Sequence, residues 1–208
     1  MKWVENGAEG KRFVCNKEKP NIFLIGDSIR KGYCETVKEC LDGKAEVFFL
    51  EDNCRSSQYL IFNMRNWSLE FDDPNAVDIV HFNCGQWDIA HWNAHDLPLT
   101  SESEYERNMQ IVVDLTRKSF PRARLIFATT SPMNPVDISG INPRTTEAVD
   151  AYNAIAVRVM ERNGIDVNDV REFMRDWPDS CYIDNCHLTE EAFKRLGEYV
   201  ACRIDEYL

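Results

Sequence analysis

The sequence predicts an α/β domain: a five-stranded parallel sheet with helices on both faces. Three observations carry that expectation. Short apolar runs alternate with longer segments of helical period, which is the pattern of strand–helix–strand units. No internal repeat or low-complexity tract interrupts the alternation. The 208 residues, 44% of them apolar, suit one compact domain, and a domain of this size buries roughly 70% of the surface its unfolded chain exposes. The first 20 residues are polar and are set apart as an extension; residues 21–208 form the domain.

The elements follow in order. Asn21–Ile25 (NIFLI) is a buried strand ending at Gly26, and Ile29–Leu41 is a helix with Gly43 suited to its C-terminal cap. Ala45–Leu50 is the second strand; the polar loop EDNCRSS and a helix over Tyr59–Trp67 follow it. Val77–Phe82 is the third strand, running into a loop that contains Gly85. Ser101 and Glu104 have the spacing of a capping box. Behind them Tyr105, Met109, Val112, Val113 and Thr116 share one helical face. Arg124–Thr129 is the fourth strand, and Pro132, Pro135 and Pro143 punctuate the long loop after it. Ala148, Ala151, Tyr152, Ile155, Val159 and Met160 recur at helical spacing, closed by Gly164. Ile165–Val170 is a short fifth strand. Thr189 caps a last helix whose buried stripe is Phe193, Leu196, Val200 and Ile204.

Charge narrows the function classes. Thirty-five acidic against 24 basic side chains give a net charge of −11, a field that repels nucleic-acid backbones and anionic lipid. No apolar run reaches the length of a membrane span. The N-terminal stretch lacks the apolar region of a secretory signal, so a cytoplasmic protein is expected. Eight cysteines are scattered over the chain and, without an export signal, are expected to be reduced. Cys181, Cys186 and His187 hint at zinc, but no second Cys/His pair stands at a matching distance, so no metal is expected.

In a parallel α/β sheet, ligands bind beyond the carboxyl ends of the strands. Gly26-Asp27-Ser28-Ile29 is a turn from the first strand into a helix. It places a hydroxyl at the sheet edge and a backbone N–H at a helix N-terminus, where negative charge is stabilised. Taken alone, Asp27 and Ser28 also suit simple capping. Asp184-Asn185-Cys186-His187 adds a carboxylate three residues from an imidazole. At that distance a turn lets Asp184 fix the tautomer of His187, leaving the other ring nitrogen to take a proton from a serine.

As a set, GDSI at 26–29, NCRSS at 53–57, GQWD at 85–88 and DNCH at 184–187 resemble the SGNH hydrolases, the GDSL esterases and lipases. The four pieces stand in the family's order, and the resemblance covers about residues 20–208. It implies a flavodoxin-like three-layer α/β/α sandwich and hydrolysis of a small-molecule ester without metal or organic cofactor. Ser28 would be the nucleophile, His187 the base and then the acid, and Asp184 the residue that orients it. Two departures stand out. The second block lacks its usual glycine, so the backbone N–H of Arg55 or Cys54 would have to serve the oxyanion. The third block has Trp87 where the family has an asparagine; Asn83 and Gln86 are the nearby amides, and Asn83 is favoured as the donor beside the N–H of Ser28. Asp27, Gln86 and Trp87 are the candidate substrate contacts.

The remaining tempting residues have plainer readings. His81, inside an apolar strand, suits a core histidine; His91 and His95 are four apart, without a third metal ligand. Trp67, Trp87 and Trp92 suit either a stacking surface for a sugar or acyl group or core filling. Arg30 and Lys31 suit solvated surface better than an anion site. The leading expectation is a serine esterase for small acyl esters, with an acetyl group on a carbohydrate as the favoured substrate. Its rivals are an acyl thioesterase or lysophospholipase, a non-catalytic or weakly active binding protein on the same fold, and a phosphate- or flavin-binding module. The last is disfavoured by a first loop that is not glycine-rich. Oligomeric state is not legible.

Overall fold

The computed structural model describes residues 12–136 and 140–208. Five parallel strands, β1 (Asn21–Ile25), β2 (Glu46–Phe49), β3 (Ile79–Phe82), β4 (Arg124–Ala128) and β5 (Asp166–Asn168), lie in the order β2-β1-β3-β4-β5. The helices are α1 (Ser28–Cys40), α2 (Ser57–Ser68), α3 (Glu102–Ser119), α4 (Thr146–Arg162), the short α5 (Val170–Phe173) and α6 (Glu190–Asp205). The order is the doubly wound, flavodoxin-like one expected, and it fixes a switch point between β1 and β3, where connections leave toward opposite faces. Ser28 follows β1 and Asn83 follows β3, so both sit at that crevice.

Two apolar layers sandwich the sheet. One face packs β1 residues Ile22 and Leu24 against α1 and α6 through Tyr33, Val37, Leu196 and Val200. The other packs Phe23 and Ile25 against α2, α3 and α4 through Leu60, Met109, Val112 and Val159. The alternation along β1 sends successive side chains to opposite layers, which is why NIFLI reads as a continuous apolar run. Residues 12–20 dock on the second layer. Phe13 lies 4.9 Å from the Phe71 ring and exchanges backbone bonds with Glu70 and Asp72.

The strand and helix positions agree with the sequence reading to within a few residues, and the differences have causes. The fifth strand stops at Asn168 because Asp169 caps α5, its carboxylate accepting from Glu172 N–H at 3.0 Å. Helix α2 begins two residues before Tyr59 because its first N–H, that of Ser57, is held from a distance by Asp88. In α4 Ala151 is exposed, and Val149 and Ala156 complete the buried face instead. Phe193 is half-buried, lying over Gly32 of α1. The capping box of α3 forms as expected: Ser101 and Glu104 exchange both bonds.

Candidate active site

The first turn of α1 places Ser28. Asp27 is its N-cap, accepting from Ile29 N–H at 2.9 Å, and Ser28 is the first helical residue, where backbone donors lack intrahelical partners. Burial pushes the Asp27 carboxyl up, against the pull of the Ile29 N–H and of Arg30, Arg144 and His187. Asp27 is wholly buried, so it braces the turn and does not meet a substrate, correcting its assignment as a contact. Arg30, expected on the surface, is also fully buried: it donates to the carbonyls of Leu50 (2.6 Å), Gly26 (3.2 Å) and Asp52 (2.6 Å). It ties the loop after β2 to the end of β1. Lys31 is exposed as expected.

A second loop brings up the imidazole. Tyr182 and Leu188 form an antiparallel bridge, and Ile183 N–H donates to His187 O at 2.9 Å, so residues 183–187 close into a tight turn. Inside it, Asp184 Oδ1 accepts from the N–H groups of Cys186 (2.8 Å) and His187 (2.7 Å). Its Oδ2 lies 2.7 Å from His187 Nδ1, and His187 Nε2 lies 2.8 Å from Ser28 Oγ. Burial pushes the Asp184 carboxyl up, but those two N–H groups and the imidazole outweigh it and hold it below its ordinary value. The carboxylate is therefore kept charged and aimed. Asn134, from the loop after β4, donates to Asp184 O and Asn185 O, steadying the turn from outside.

Two of the remaining candidates stand differently from expectation. Arg55 is in the left-handed region, φ +48°, where a glycine is the natural occupant; its N–H donates to Asn53 Oδ1 at 3.0 Å. The Cys54 N–H is likewise spent, on Gly26 O at 3.0 Å. Neither backbone donor is free for an oxyanion in this conformation. Gln86 is buried, with Nε2 donating to Ser131 O at 2.9 Å and Oε1 accepting from Arg144 at 3.2 Å. It positions Arg144 and is not a substrate contact, correcting that assignment too.

Asn83 fits its expected place better. Its N–H donates to Ile25 O at 3.0 Å, holding the end of β3 beside the GDSI turn. Its Oδ1 is sealed in without a partner; a Cβ built on Gly26 would fall 2.0 Å from it, so only glycine allows this approach. Nδ2 makes no bond to the protein and keeps its contact with the solvent-accessible surface. A two-donor amide left unspent at the switch point is what an oxyanion donor requires.

Several contributors were not visible in the sequence. Asp88 accepts from Ser57 N–H at 2.9 Å and Ser57 Oγ at 2.5 Å, so the third block caps α2, whose own N-cap Ser56 makes no side-chain bond. Burial pushes Asp88 up to about 6 despite those donors. Arg144 reaches into the site from the loop before α4. Trp87 is half-exposed and packs on Trp92 with ring centroids 4.8 Å apart, while the Arg55 guanidinium lies over the rings of Tyr59 (4.8 Å) and Trp87 (5.9 Å). Trp67 is core, and His81 is buried against Asn168. His91 Nδ1 is bonded to the His95 carbonyl at 2.8 Å. Asp184, Cys186 and His187 bring possible ligand atoms within 4.8 Å of one another. Cys181 is not part of that group, and the carboxylate and imidazole are spent on each other.

Comparison with known proteins bears on the fold. No family model matches the chain. The GDSL esterase/lipase WDL1 of Oryza sativa subsp. japonica is 26% identical over 137 residues, 61% of this chain and 52% of that protein; the chain thus spans about half the length of this curated relative. Among solved structures, the acetyl xylan esterase AlAXEase superposes with TM-score 0.70 at 19% identity, covering 90% of this chain and 99% of that one. A lipase/acylhydrolase from Enterococcus faecalis gives 0.71 at 17% identity, covering 91% and 97%. Est24, a carbohydrate acetylesterase from Sinorhizobium meliloti, gives 0.67 at 14%, covering 91% and 100%.

The chain has the SGNH-hydrolase fold. The likeness in fold covers 90–91% of the chain in these three neighbours. Among the described residues no helix is long and apolar enough to cross a membrane.

Proposed function

We propose that the protein hydrolyses small carboxylic esters through Ser28, His187 and Asp184. The observation that carries this reading is the continuous chain Asp184 Oδ2–His187 Nδ1 (2.7 Å) and His187 Nε2–Ser28 Oγ (2.8 Å), assembled from loops 159 residues apart in sequence. Ser28 Oγ attacks the ester carbonyl carbon while its proton passes to His187 Nε2. Asp184 stabilises the resulting imidazolium and does not itself take the proton. The oxyanion is met by the Ser28 N–H and Asn83 Nδ2. His187 then protonates the departing alcohol oxygen, and a water repeats the sequence on the acyl-enzyme to release the acid.

An acetyl group on a carbohydrate is the favoured substrate. The paired, half-exposed Trp87 and Trp92 offer aromatic surface beside the crevice, and two of the structural neighbours are described as an acetyl xylan esterase and a carbohydrate acetylesterase. Eight unpaired cysteines suit a reducing compartment, so the cytoplasm is the proposed location. The rival reading, a weakly active binding protein, draws on one observation: the Arg55 N–H is tied to Asn53.

A panel of p-nitrophenyl esters of rising acyl length, with wild type and Ser28→Ala, separates the two. Hydrolysis that declines beyond short chains and nearly vanishes in Ser28→Ala supports the esterase. Equal rates in the two proteins would remove Ser28 from the mechanism.

A further inference from the structure

We infer that the site selects esters bearing a second, anionic group, and that Arg144 receives it. The inference deepens the esterase reading and rests on it.

Several arginines here have their charge spent in one of two ways. Arg124, Arg162 and Arg171 each pair with a carboxylate, Asp166, Glu106 and Asp150 respectively, and Arg30 satisfies three carbonyls in the core. Arg144 does neither. Its guanidinium is half-buried; Nη1 donates to Gln86 Oε1 (3.2 Å) and Cys186 Sγ (3.7 Å), and Nε to Asn142 O (3.3 Å). All three partners are neutral. Among the described residues no carboxylate comes within ion-pair distance of it, and Nη2 makes no bond to the protein.

Those partners also place it. Cys186 lies between Asp184 and His187, and Gln86 lies in the loop that carries Trp87. The charge of Arg144 is felt at Asp27, the residue before Ser28. Gln86 is itself fixed on Ser131, so its carbonyl is aimed at the guanidinium and holds it without neutralising it. A planar donor group, oriented in advance and left with an open edge, is suited to a carboxylate or phosphate. A chain of net charge −11 otherwise repels such substrates, so a local cation is needed to admit one.

The test compares matched neutral and anionic esters. On the acyl side, mono-4-nitrophenyl succinate is set against 4-nitrophenyl butyrate; on the alcohol side, 4-acetoxybenzoate against phenyl acetate. In at least one pair the wild type should favour the anion at least 10-fold in kcat/KM. Arg144→Gln should lower that anionic-to-neutral ratio at least 10-fold, Arg144→Lys should restore part of it, and 0.5 M NaCl should compress it. A purely structural Arg144 would lower both members of a pair together and leave the ratio unchanged. That result overturns the inference, as does a wild-type ratio at or below one in both pairs. If wild type hydrolyses none of the four, the esterase reading fails by itself. Calorimetric titration of succinate and benzoate into wild type and Arg144→Gln then decides the anion site. Binding weakened at least 10-fold by the substitution sustains it, and binding absent or unchanged ends it.

Discussion

Removing the Asn83 amide tests how this crevice replaces the asparagine that the third block lacks. Asn83→Ala deletes a side chain whose Oδ1 has no partner and whose Nδ2 makes no bond to the protein, so no internal hydrogen bond is lost. The backbone N–H that pins β3 to Ile25 O at 3.0 Å survives the change. The stability cost is then confined to a small void, about 1 kcal/mol. The catalytic cost is larger, because a donor aimed at a developing oxyanion contributes ~2.7–4 kcal/mol, or about 10²–10³ in kcat. KM should change little, since the bond tightens mainly in the transition state. Steady-state kinetics on p-nitrophenyl acetate, with thermal unfolding measured alongside, separates the two effects. Asn83→Asp, which keeps the shape but places a negative charge against the oxyanion, should lose at least as much kcat. A kcat for Asn83→Ala within about threefold of wild type would refute the assignment. It would do so most directly if Trp87→Phe proved crippling instead, since the indole N–H would then be the donor.

The other predictions concern the same crevice. Trp87→Phe should alter preference among esters while sparing kcat on the smallest. The kcat/KM profile should fall on acidification, because His187 must be neutral to act as base; a rate flat from pH 5 to 9, with chemistry limiting, would remove it from that role. Asp184→Asn should lower kcat by about 10²–10⁴ through loss of the tautomer and of imidazolium stabilisation; a retained rate would show that the 2.7 Å contact is incidental. Gly26→Ala should destabilise by about 1–3 kcal/mol and lower kcat, because its Cβ would fall 2.0 Å from Asn83 Oδ1 and 2.6 Å from Arg30 Cβ. Asp88 sits at about 6 in the folded protein against 3.8 as a free side chain, so folding favours its protonated form. Its contribution is fully present below pH ~4 and is lost as pH rises through ~6. Denaturant unfolding of wild type minus Asp88→Asn should shift toward the variant by about 3 kcal/mol across that window; a pH-independent difference would contradict it.

What was legible in the sequence follows the range of the interactions involved. The strands of β1 and β3 are buried on both faces, so each is a run of apolar side chains that local reading finds directly. The α3 capping box and the Thr189 cap are contacts over three residues and were equally visible. The pairing of Asp184 with His187 is also local, since one turn brings the two groups together. Even the meeting of Ser28 with His187 was accessible, because the carboxyl-edge rule for parallel sheets places both loops on one side. The start of α2, at Ser57 and not at Tyr59, is not legible for the opposite reason. Its cap is supplied by Asp88 from 31 residues away, and no periodicity in the helix itself records that.

Arg144 shows the same limit within the site, and it also shows what could have narrowed the search. It follows Pro143 in a loop that looked like punctuation between β4 and α4, with nothing in its neighbours to mark it. Its role is set by Gln86 and Cys186, 58 and 42 residues distant, neither of which can be paired with it from spacing. Arg30 was the more conspicuous cation, two residues from the serine, yet three carbonyls absorb it into the core. Proximity in sequence therefore does not tell which arginine keeps an open edge. The distinguishing property is whether the charge is already satisfied, and that is decided by tertiary contacts. On the proposed reading the site holds negative charge transiently on an oxyanion and persistently on a substrate group, which needs donors with no other occupation. Asn83 Nδ2 and Arg144 Nη2 meet that condition, while the N–H groups of Arg55 and Cys54 do not.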